Sequence, residues 1–114
     1  MDGFFRIAFT GAAGSGFGML VLHSGVIVGA DVGGATYDGS YTESSATQAL
    51  DFQITMNAPA GITPVQTGIA LTAPITMPIT GSIPQGNITN ETPTLLQTQL
   101  GPVNLILKKM RDFP

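Results

Sequence analysis

Cysteine is absent from the 114-residue chain, and His23 is its only histidine. Without thiols there are no disulfides and no thiolate metal ligands, and a single imidazole is too few for a histidine-based zinc site. We therefore expect no bound metal. Charge is also scarce: 10 % of the residues are charged, whereas about 25 % are charged in typical proteins. With so few charges, part of the surface is either neutral and polar or covered by a partner.

The chain has four basic and seven acidic residues, and its net charge is −3. Three of the bases, Lys108, Lys109 and Arg111, lie near the C-terminus. Nucleic-acid-binding proteins usually present a broad basic face, so we expect no nucleic-acid partner. Long apolar runs are missing as well, since none reaches the ~18 residues that a membrane-spanning helix needs. No apolar stretch follows a basic start either, and the expected location is the cytoplasm, without membrane contact.

Helix-forming patterns are rare, because 15 glycines and 8 prolines interrupt the chain. Short runs suited to strands recur instead, and this spacing is typical of an all-β sandwich or barrel. We predict one all-β domain over residues 1–114, folded as a small antiparallel β-barrel of about eight strands. Pro74 and Pro78 interrupt the sixth run and predict an edge strand, a bulged strand or two short pieces there. The runs cover residues 3–10, 17–23, 26–31, 36–43, 50–56, 69–83, 94–100 and 103–110.

Apolar and polar residues alternate most regularly in residues 50–56, which predicts a strand with one face toward the barrel interior. A small barrel is either filled by side chains or holds one ligand, and the pattern leaves both open. Two other runs, 19–22 and 26–28, are apolar on both faces, so we expect their outer side to be covered in a homodimer. The candidates for lining the interior are Phe5, Ile7, Phe9, Leu50, Phe52, Ile54, Met56, Leu105 and Leu107.

Residues 10–18 read TGAAGSGFG and follow an apolar run, as the glycine-rich turn of a dinucleotide site does. In such a site the pyrophosphate sits at the N-terminus of a helix. Only seven residues separate Gly16 from Ser24, fewer than the dozen or so that a crossover connection needs. We therefore predict no cofactor, and we interpret residues 11–16 as a mobile connection between two antiparallel strands.

Side chains that commonly perform catalysis are few and scattered. Asp31 and Asp38 flank a Gly-Gly pair and are interpreted as turn-forming residues. His23 ends a strand beside a turn and is interpreted as a surface residue. No serine lies in a G-x-S-x-G motif. We predict that the protein is not an enzyme. An active site would have to be built from the two aspartates or from the glycine-rich segment.

Four short motifs occupy the first part of the chain: Asp-Gly followed by aromatics at the start, the G-x-G of the glycine-rich segment, GVIVGAD at 25–31 and YDGSY at 37–41. On these motifs the chain resembles the GrlR-like family, which comprises negative regulators of type III secretion and other bacterial relatives. The resemblance implies a lipocalin-like eight-stranded barrel, a homodimer, and an apolar interior suited to a lipid-like molecule. The family-motif positions are Gly29, Asp31, Tyr37, Gly39 and Tyr41.

Three features depart from the family pattern. Ala30 stands where the pattern has a second glycine, Val32-Gly33-Gly34 extends the next turn, and the chain has no run of consecutive acids. An acidic stretch is the surface through which the founding regulator is thought to contact its activator, so that contact is not transferred. We predict a non-enzymatic bacterial protein that regulates by binding a protein partner. The alternative is a carrier or sensor of a small apolar or lipid-like ligand held inside the barrel.

Overall fold

A computed structural model of the chain describes all 114 residues. It contains eight strands and one short helix, and this helix is far too short to cross a membrane. The elements are β1 (Gly3–Gly11), β2 (Gly14–His23), β3 (Val26–Asp31), β4 (Thr36–Ser44), β5 (Ala49–Ala58), β6 (Ile75–Pro84), α1 (Gln85–Thr89), β7 (Thr94–Thr98) and β8 (Gly101–Arg111).

The strands form one antiparallel sheet in the order β6-β5-β4-β3-β2-β1-β8-β7. Strands β6 and β7, at the two ends of this order, share no backbone hydrogen bonds and meet through side chains. A Cβ atom built on Gly81 of β6 would lie 3.0 Å from Leu96 Cδ2 of β7. The sheet is thus nearly closed into a barrel, and the prediction of an all-β antiparallel barrel of eight strands is confirmed.

Connections collect at the two ends of the barrel because the strands alternate in direction. The helix end carries the β2–β3 and β4–β5 turns and α1. The loop end carries the β1–β2, β3–β4 and β7–β8 turns and the long connection 59–74. Val65 in this connection accepts a backbone hydrogen bond from Ala13 N at 2.8 Å, which ties the connection to the β1–β2 turn.

The core fills the inside of the barrel because alternate side chains of each strand point inward. In β4, for example, Tyr37 and Tyr41 are buried whereas Asp38 between them is exposed. The two tyrosines share a face, as their spacing predicts. Burying one large apolar side chain contributes about 1.5–3 kcal/mol. The largest side chains that are fully buried belong to Phe5, Leu22, Ile27, Leu50 and Met77.

The glycine-rich segment differs from its prediction. Strand β2 begins at Gly14, and the pairing runs to Gly11 opposite Gly14, so residues 14–16 are strand and not a mobile connection. The turn contains only Ala12 and Ala13. A Cβ atom on Gly16 would lie 2.4 Å from the Phe9 ring, so this glycine makes room for the aromatic side chain of the neighbouring strand.

Three other boundaries also shift. The sixth strand begins at Ile75, not at residue 69, and it is an edge strand as its prolines predicted. The β7–β8 turn lies at residues 99–100, two residues before the Gly101-Pro102 pair, because Gly101 opens β8. Pro84, Gln85 and Gly86 form a sequence typical of a turn, but helix α1 begins at Gln85 and buries Ile88 against the helix end of the barrel.

Candidate functional site

The barrel interior contains a cavity of about 100 Å³. Of the 17 residues that line it, 15 are hydrophobic and none is charged. Strands on opposite sides of the barrel contribute lining residues to it. The inward-facing side chains that form the core therefore leave this space between them. The predicted residues that line it are Ile7, Phe9, Leu50, Phe52, Ile54, Leu105 and Leu107.

Two residues predicted to line the cavity do not. Phe5 is completely buried, but it lies toward the helix end, where it borders a separate groove with Met1 and Ile88. Met56 is half-buried opposite Tyr37 and packs against the core outside the cavity. Alternation identifies the face on which a side chain lies, but it does not specify which inward side chains reach the cavity. Phe5 lies too near the helix end, and at the height of Met56 the cavity is lined by Tyr37.

Other lining residues were missed. Those of β2 and β3 come from runs that are apolar on both faces, so alternation could not show which side faces inward. Those of β6 and β7 lie in proline-interrupted or short runs. Val103 could have been found, since it shares a face of β8 with the predicted Leu105 and Leu107. The missed residues are Leu20, Leu22, Ile27, Tyr37, Ile79, Ile83, Leu96 and Val103, with the polar residues Gln66 and Thr98.

The two polar lining residues meet at the loop end. Gln66 Nε2 donates a hydrogen bond to Thr98 Oγ1 at 3.2 Å. The Thr98 hydroxyl donates to the Gly101 carbonyl at 2.6 Å and accepts from Leu100 N at 3.2 Å. Thr98 is thereby fully engaged. Gln66 Oε1 accepts no hydrogen bond within the chain, and since no buried side-chain oxygen lacks a partner, this oxygen is accessible to solvent. The loop end of the cavity therefore carries one accessible acceptor.

The family-motif residue Asp31 closes the β3–β4 turn at the loop end. Its Oδ1 accepts three backbone N–H bonds at 2.9–3.1 Å, from residues 33, 34 and 35. Its Oδ2 accepts the Tyr37 hydroxyl at 2.6 Å. Burial, with the hydrogen bond to Asp31 as a second cause, raises the pKa of Tyr37. Asp31 is thus the turn-forming residue that the sequence predicted.

A second aspartate–tyrosine pair lies at the helix end. Asp2 Oδ1 accepts the Tyr41 hydroxyl at 2.7 Å and Ser24 N at 3.0 Å. These two hydrogen bonds, the one from Tyr41 first, lower the pKa of Asp2. Burial is the main cause that raises the pKa of Tyr41. The two motif tyrosines therefore each connect the barrel wall to an aspartate at the nearer end.

Asp2, His23 and Ser24 follow one another in the order of a hydrolase triad. His23 Nδ1 lies 3.1 Å from Asp2 Oδ2, and His23 Nε2 lies 3.5 Å from Ser24 Oγ. Phe113 stacks on the imidazole at 4.0 Å between ring centroids. Ser24 and Gly25 both have positive φ, as the two central residues of a tight hairpin turn require. The contacts therefore secure the β2–β3 hairpin and the C-terminal tail, and His23 is exposed as predicted.

The motif glycines Gly29 and Gly39 allow backbones to approach closely. A Cβ atom on Gly29 would lie 2.2 Å from Met19 O, and one on Gly39 would lie 2.0 Å from Gln53 O. Both contacts are with main-chain atoms of a paired strand, which cannot turn aside as a side chain can. The motif positions therefore shape the barrel, and only Tyr37 among them lines the cavity.

The outer faces of β2 and β3 form a second candidate site. Alternate residues there are apolar, and all are solvent-exposed except the half-buried Val21. Strands β2 and β3 pair so that Met19 lies opposite Ala30 and Val21 opposite Val28. Phe17 is 54 % exposed, and Val28 is 44 % exposed. Contiguous exposed apolar surface of this kind marks an interaction site. We call this the outer apolar surface: Phe17, Met19, Val21, Val26, Val28, Ala30 and Val32.

Opposite charges flank the outer apolar surface. Arg6 on β1 pairs with Met19, on one side, and Asp38 on β4 pairs with Val28, on the other. Asp38 was interpreted as a turn residue, but it lies within β4, and none of the ion pairs of the chain includes it. The Arg6 guanidinium lies 3.9 Å from Glu91. A free carboxylate and a weakly paired cation thus border the surface.

No three histidine or acidic side chains converge on a point where they could hold a metal ion. Comparisons with protein-family models, with curated proteins and with solved structures found no match to this chain. The resemblance to the GrlR-like family stays a prediction that rests on the motifs alone. The two candidate sites are therefore judged on their geometry and chemistry.

Proposed function

We propose that the protein is a non-enzymatic binding protein that acts through its outer apolar surface. The exposure of that surface is the observation that carries the proposal. Apolar side chains stabilise a fold when they are buried, so a row of them on the solvent side of two central strands has no role in a lone barrel. Covering that row removes apolar area from water at about 25 cal/mol per Å². The surface is therefore suited to a protein partner.

The partner that we propose first is a second copy of the chain. A two-fold axis parallel to the strands places the Arg6 side of one surface against the Asp38 side of the other. Two-fold dimers are the commonest soluble oligomers, and their interfaces are self-complementary. The opposite charges on the two borders provide this complementarity, and they specify how the surfaces are aligned.

Light scattering on two matched variants tests the dimer. Val28→Lys places a charge at the centre of the outer apolar surface, and Gln53→Lys makes the same charge change on the outer face of β5, outside the surface. We expect Val28→Lys to be a monomer of 11.7 kDa and Gln53→Lys to behave as the wild type. Circular dichroism verifies that both variants are folded. Equal masses for the two folded variants contradict the proposal.

Regulation by sequestering a different protein is supported by the motif resemblance and by the same exposed surface. We propose that such a protein competes with the second copy, since both need the outer apolar surface, and that this occurs in the cytoplasm. A pulldown from a bacterial lysate, repeated with Val28→Lys, tests it. A specific protein that the wild type captures and Val28→Lys does not supports regulation. If both capture the protein equally, it binds outside the outer apolar surface.

The cavity supports a second candidate function, the carriage or sensing of a small apolar ligand. A barrel core that only stabilises the fold is packed to the density of an organic crystal. Here about 100 Å³ at the centre stays unfilled. The test is whether the core methyl signals in an NMR spectrum shift when an apolar probe is added.

A further inference from the structure

The size of the cavity limits its ligand. Pockets that hold drug-sized molecules have volumes of about 300–1,000 Å³, and this cavity has about 100 Å³. An engineered apolar cavity of about 150 Å³ in another protein stays dry and binds benzene or xenon. This cavity has about two-thirds of that volume, so a single atom fits easily, a ring of the size of benzene is the upper limit, and a fatty-acyl chain is too large.

The charge of the ligand is limited as well. No lining residue is charged, and no charged group forms part of the wall. Burying an ion without a partner is far more costly than burying a neutral group. A carboxylate, an ammonium group or a phosphate is therefore excluded from the interior, and the ligand is neutral.

One end of the cavity offers a hydrogen bond. Gln66 lines the space at the loop end, and its Nε2 is held by Thr98 at 3.2 Å while Oε1 has no partner. The amide orientation is fixed by this contact, since the Thr98 hydroxyl already donates to Gly101 O. A ligand hydroxyl placed here would take the place of water at this solvent-accessible acceptor, and its apolar body would face the leucine and isoleucine side chains beyond.

We infer that the cavity binds one small neutral molecule, with an apolar body of about the size of benzene and a hydroxyl group that donates to Gln66 Oε1. This inference rests on the second candidate function, ligand carriage, and adds the class and the orientation of the ligand. A small phenol or cyclic alcohol has this chemistry. Long-chain lipids and organic acids do not.

Calorimetry and NMR with xenon, benzene, phenol and decanoate test the inference on the wild type and three variants. Gln66→Leu removes the acceptor, and Gln97→Leu makes the same change at an exposed position of β7. Ile79→Phe fills the cavity from the edge strand β6, where the backbone has room to adjust. Far-UV circular dichroism and a urea midpoint establish that each variant is folded before binding is measured.

We expect xenon, benzene and phenol to bind the wild type, with phenol tighter, and decanoate not to bind. Because a neutral hydrogen bond contributes about 0.5–1.5 kcal/mol, Gln66→Leu should weaken phenol binding by about two- to twelvefold and leave benzene binding unchanged. Gln97→Leu should change neither, and folded Ile79→Phe should bind none of the probes.

Each contrary result overturns a distinct statement. If no probe shifts a core signal in the wild type, ligand carriage and the inference both fail. If decanoate binds, the proposal of ligand carriage stands, but the limit on the size of the ligand is wrong. If Gln66→Leu binds benzene and phenol as tightly as the wild type does, the proposal of ligand carriage stands. The inferred hydrogen bond from the ligand hydroxyl to Gln66 is then wrong. Probe binding that persists in folded Ile79→Phe places the site outside the cavity.

Discussion

Replacing Tyr37 by phenylalanine removes the hydroxyl that joins β4 to the β3–β4 turn and leaves the ring in the core. The Tyr37 hydroxyl donates to Asp31 Oδ2 at 2.6 Å, and Tyr37 is only 9 % exposed. A hydrogen bond to a charged group contributes about 1.5–3 kcal/mol. The carboxylate keeps three backbone donors on Oδ1 in the variant, so we expect a loss near the lower part of this range, about 2 kcal/mol.

Urea unfolding followed by circular dichroism measures the loss, and the slope of the free energy against urea should stay the same because the exposed area does not change. For a domain of this size, a loss of that magnitude lowers Tm by about 6–12 °C. The control is Tyr41→Phe, whose ring is equally buried at 7 % exposure but whose hydroxyl donates to Asp2, a carboxylate with a 42 % exposed side chain. Water can replace the lost hydroxyl at Asp2, so Tyr41→Phe should lose less stability. If Tyr37→Phe loses no more than Tyr41→Phe, the reasoning from solvent access to the acceptor is refuted.

Two further predictions concern pH and backbone packing. Asp2 has a lowered pKa in the folded protein, so its contribution to stability is complete above its ordinary value of 3.8 and is lost as the pH falls through the lowered value. The hydrogen bond from Tyr41 is the main cause of the lowered pKa of Asp2. The difference in urea midpoint between the wild type and Tyr41→Phe should therefore be present at neutral pH and shrink in acid. A difference that does not change with pH contradicts the assignment of the lowered pKa to Tyr41. In Gly39→Ala the new Cβ would lie 2.0 Å from Gln53 O, whereas in Gly14→Ala it meets nothing within 4 Å. We expect Gly39→Ala to lose about 1–3 kcal/mol and Gly14→Ala to be nearly neutral in the same urea assay; equal effects contradict the close approach.

Much of the barrel could be predicted because its signals are local. Alternation in residues 50–56 marks β5, and the Ser24-Gly25 pair marks the β2–β3 hairpin, in which both residues adopt positive φ. Prolines mark the edge strand β6 because proline has no backbone N–H to donate to a neighbouring strand. Each of these signals depends on a few consecutive residues, so no knowledge of the rest of the fold is needed.

The remainder depends on contacts between distant parts of the chain. Gln66 reaches the cavity because the connection 59–74 folds back over the loop end, where Gln66 meets Thr98 across 32 positions of sequence. Nothing near Gln66 in the sequence indicates this contact. The heights of Phe5 and Met56 in the barrel depend in the same way on the stagger of paired strands, which alternation within one strand does not specify.

The outer apolar surface was visible in the sequence as runs that are apolar on both faces, and the structure adds which side is exposed. Met19, Val21 and Val28 point outward, whereas Leu20, Leu22 and Ile27 point into the core. Arg6 and Asp38 lie on opposite borders of this surface because β1, β2, β3 and β4 are neighbours in the sheet, and no pattern in the sequence shows this order. The alignment of the proposed dimer therefore came from the sheet register and not from any motif.

Light scattering of the wild-type protein at micromolar concentration tests the central claim most directly, because the outer apolar surface is proposed to bind a second copy. The chain has a mass of 11.7 kDa, and twice this value is 23.4 kDa. We predict a mass near 23.4 kDa that does not change on moderate dilution. A mass of 11.7 kDa throughout this range would contradict the claim.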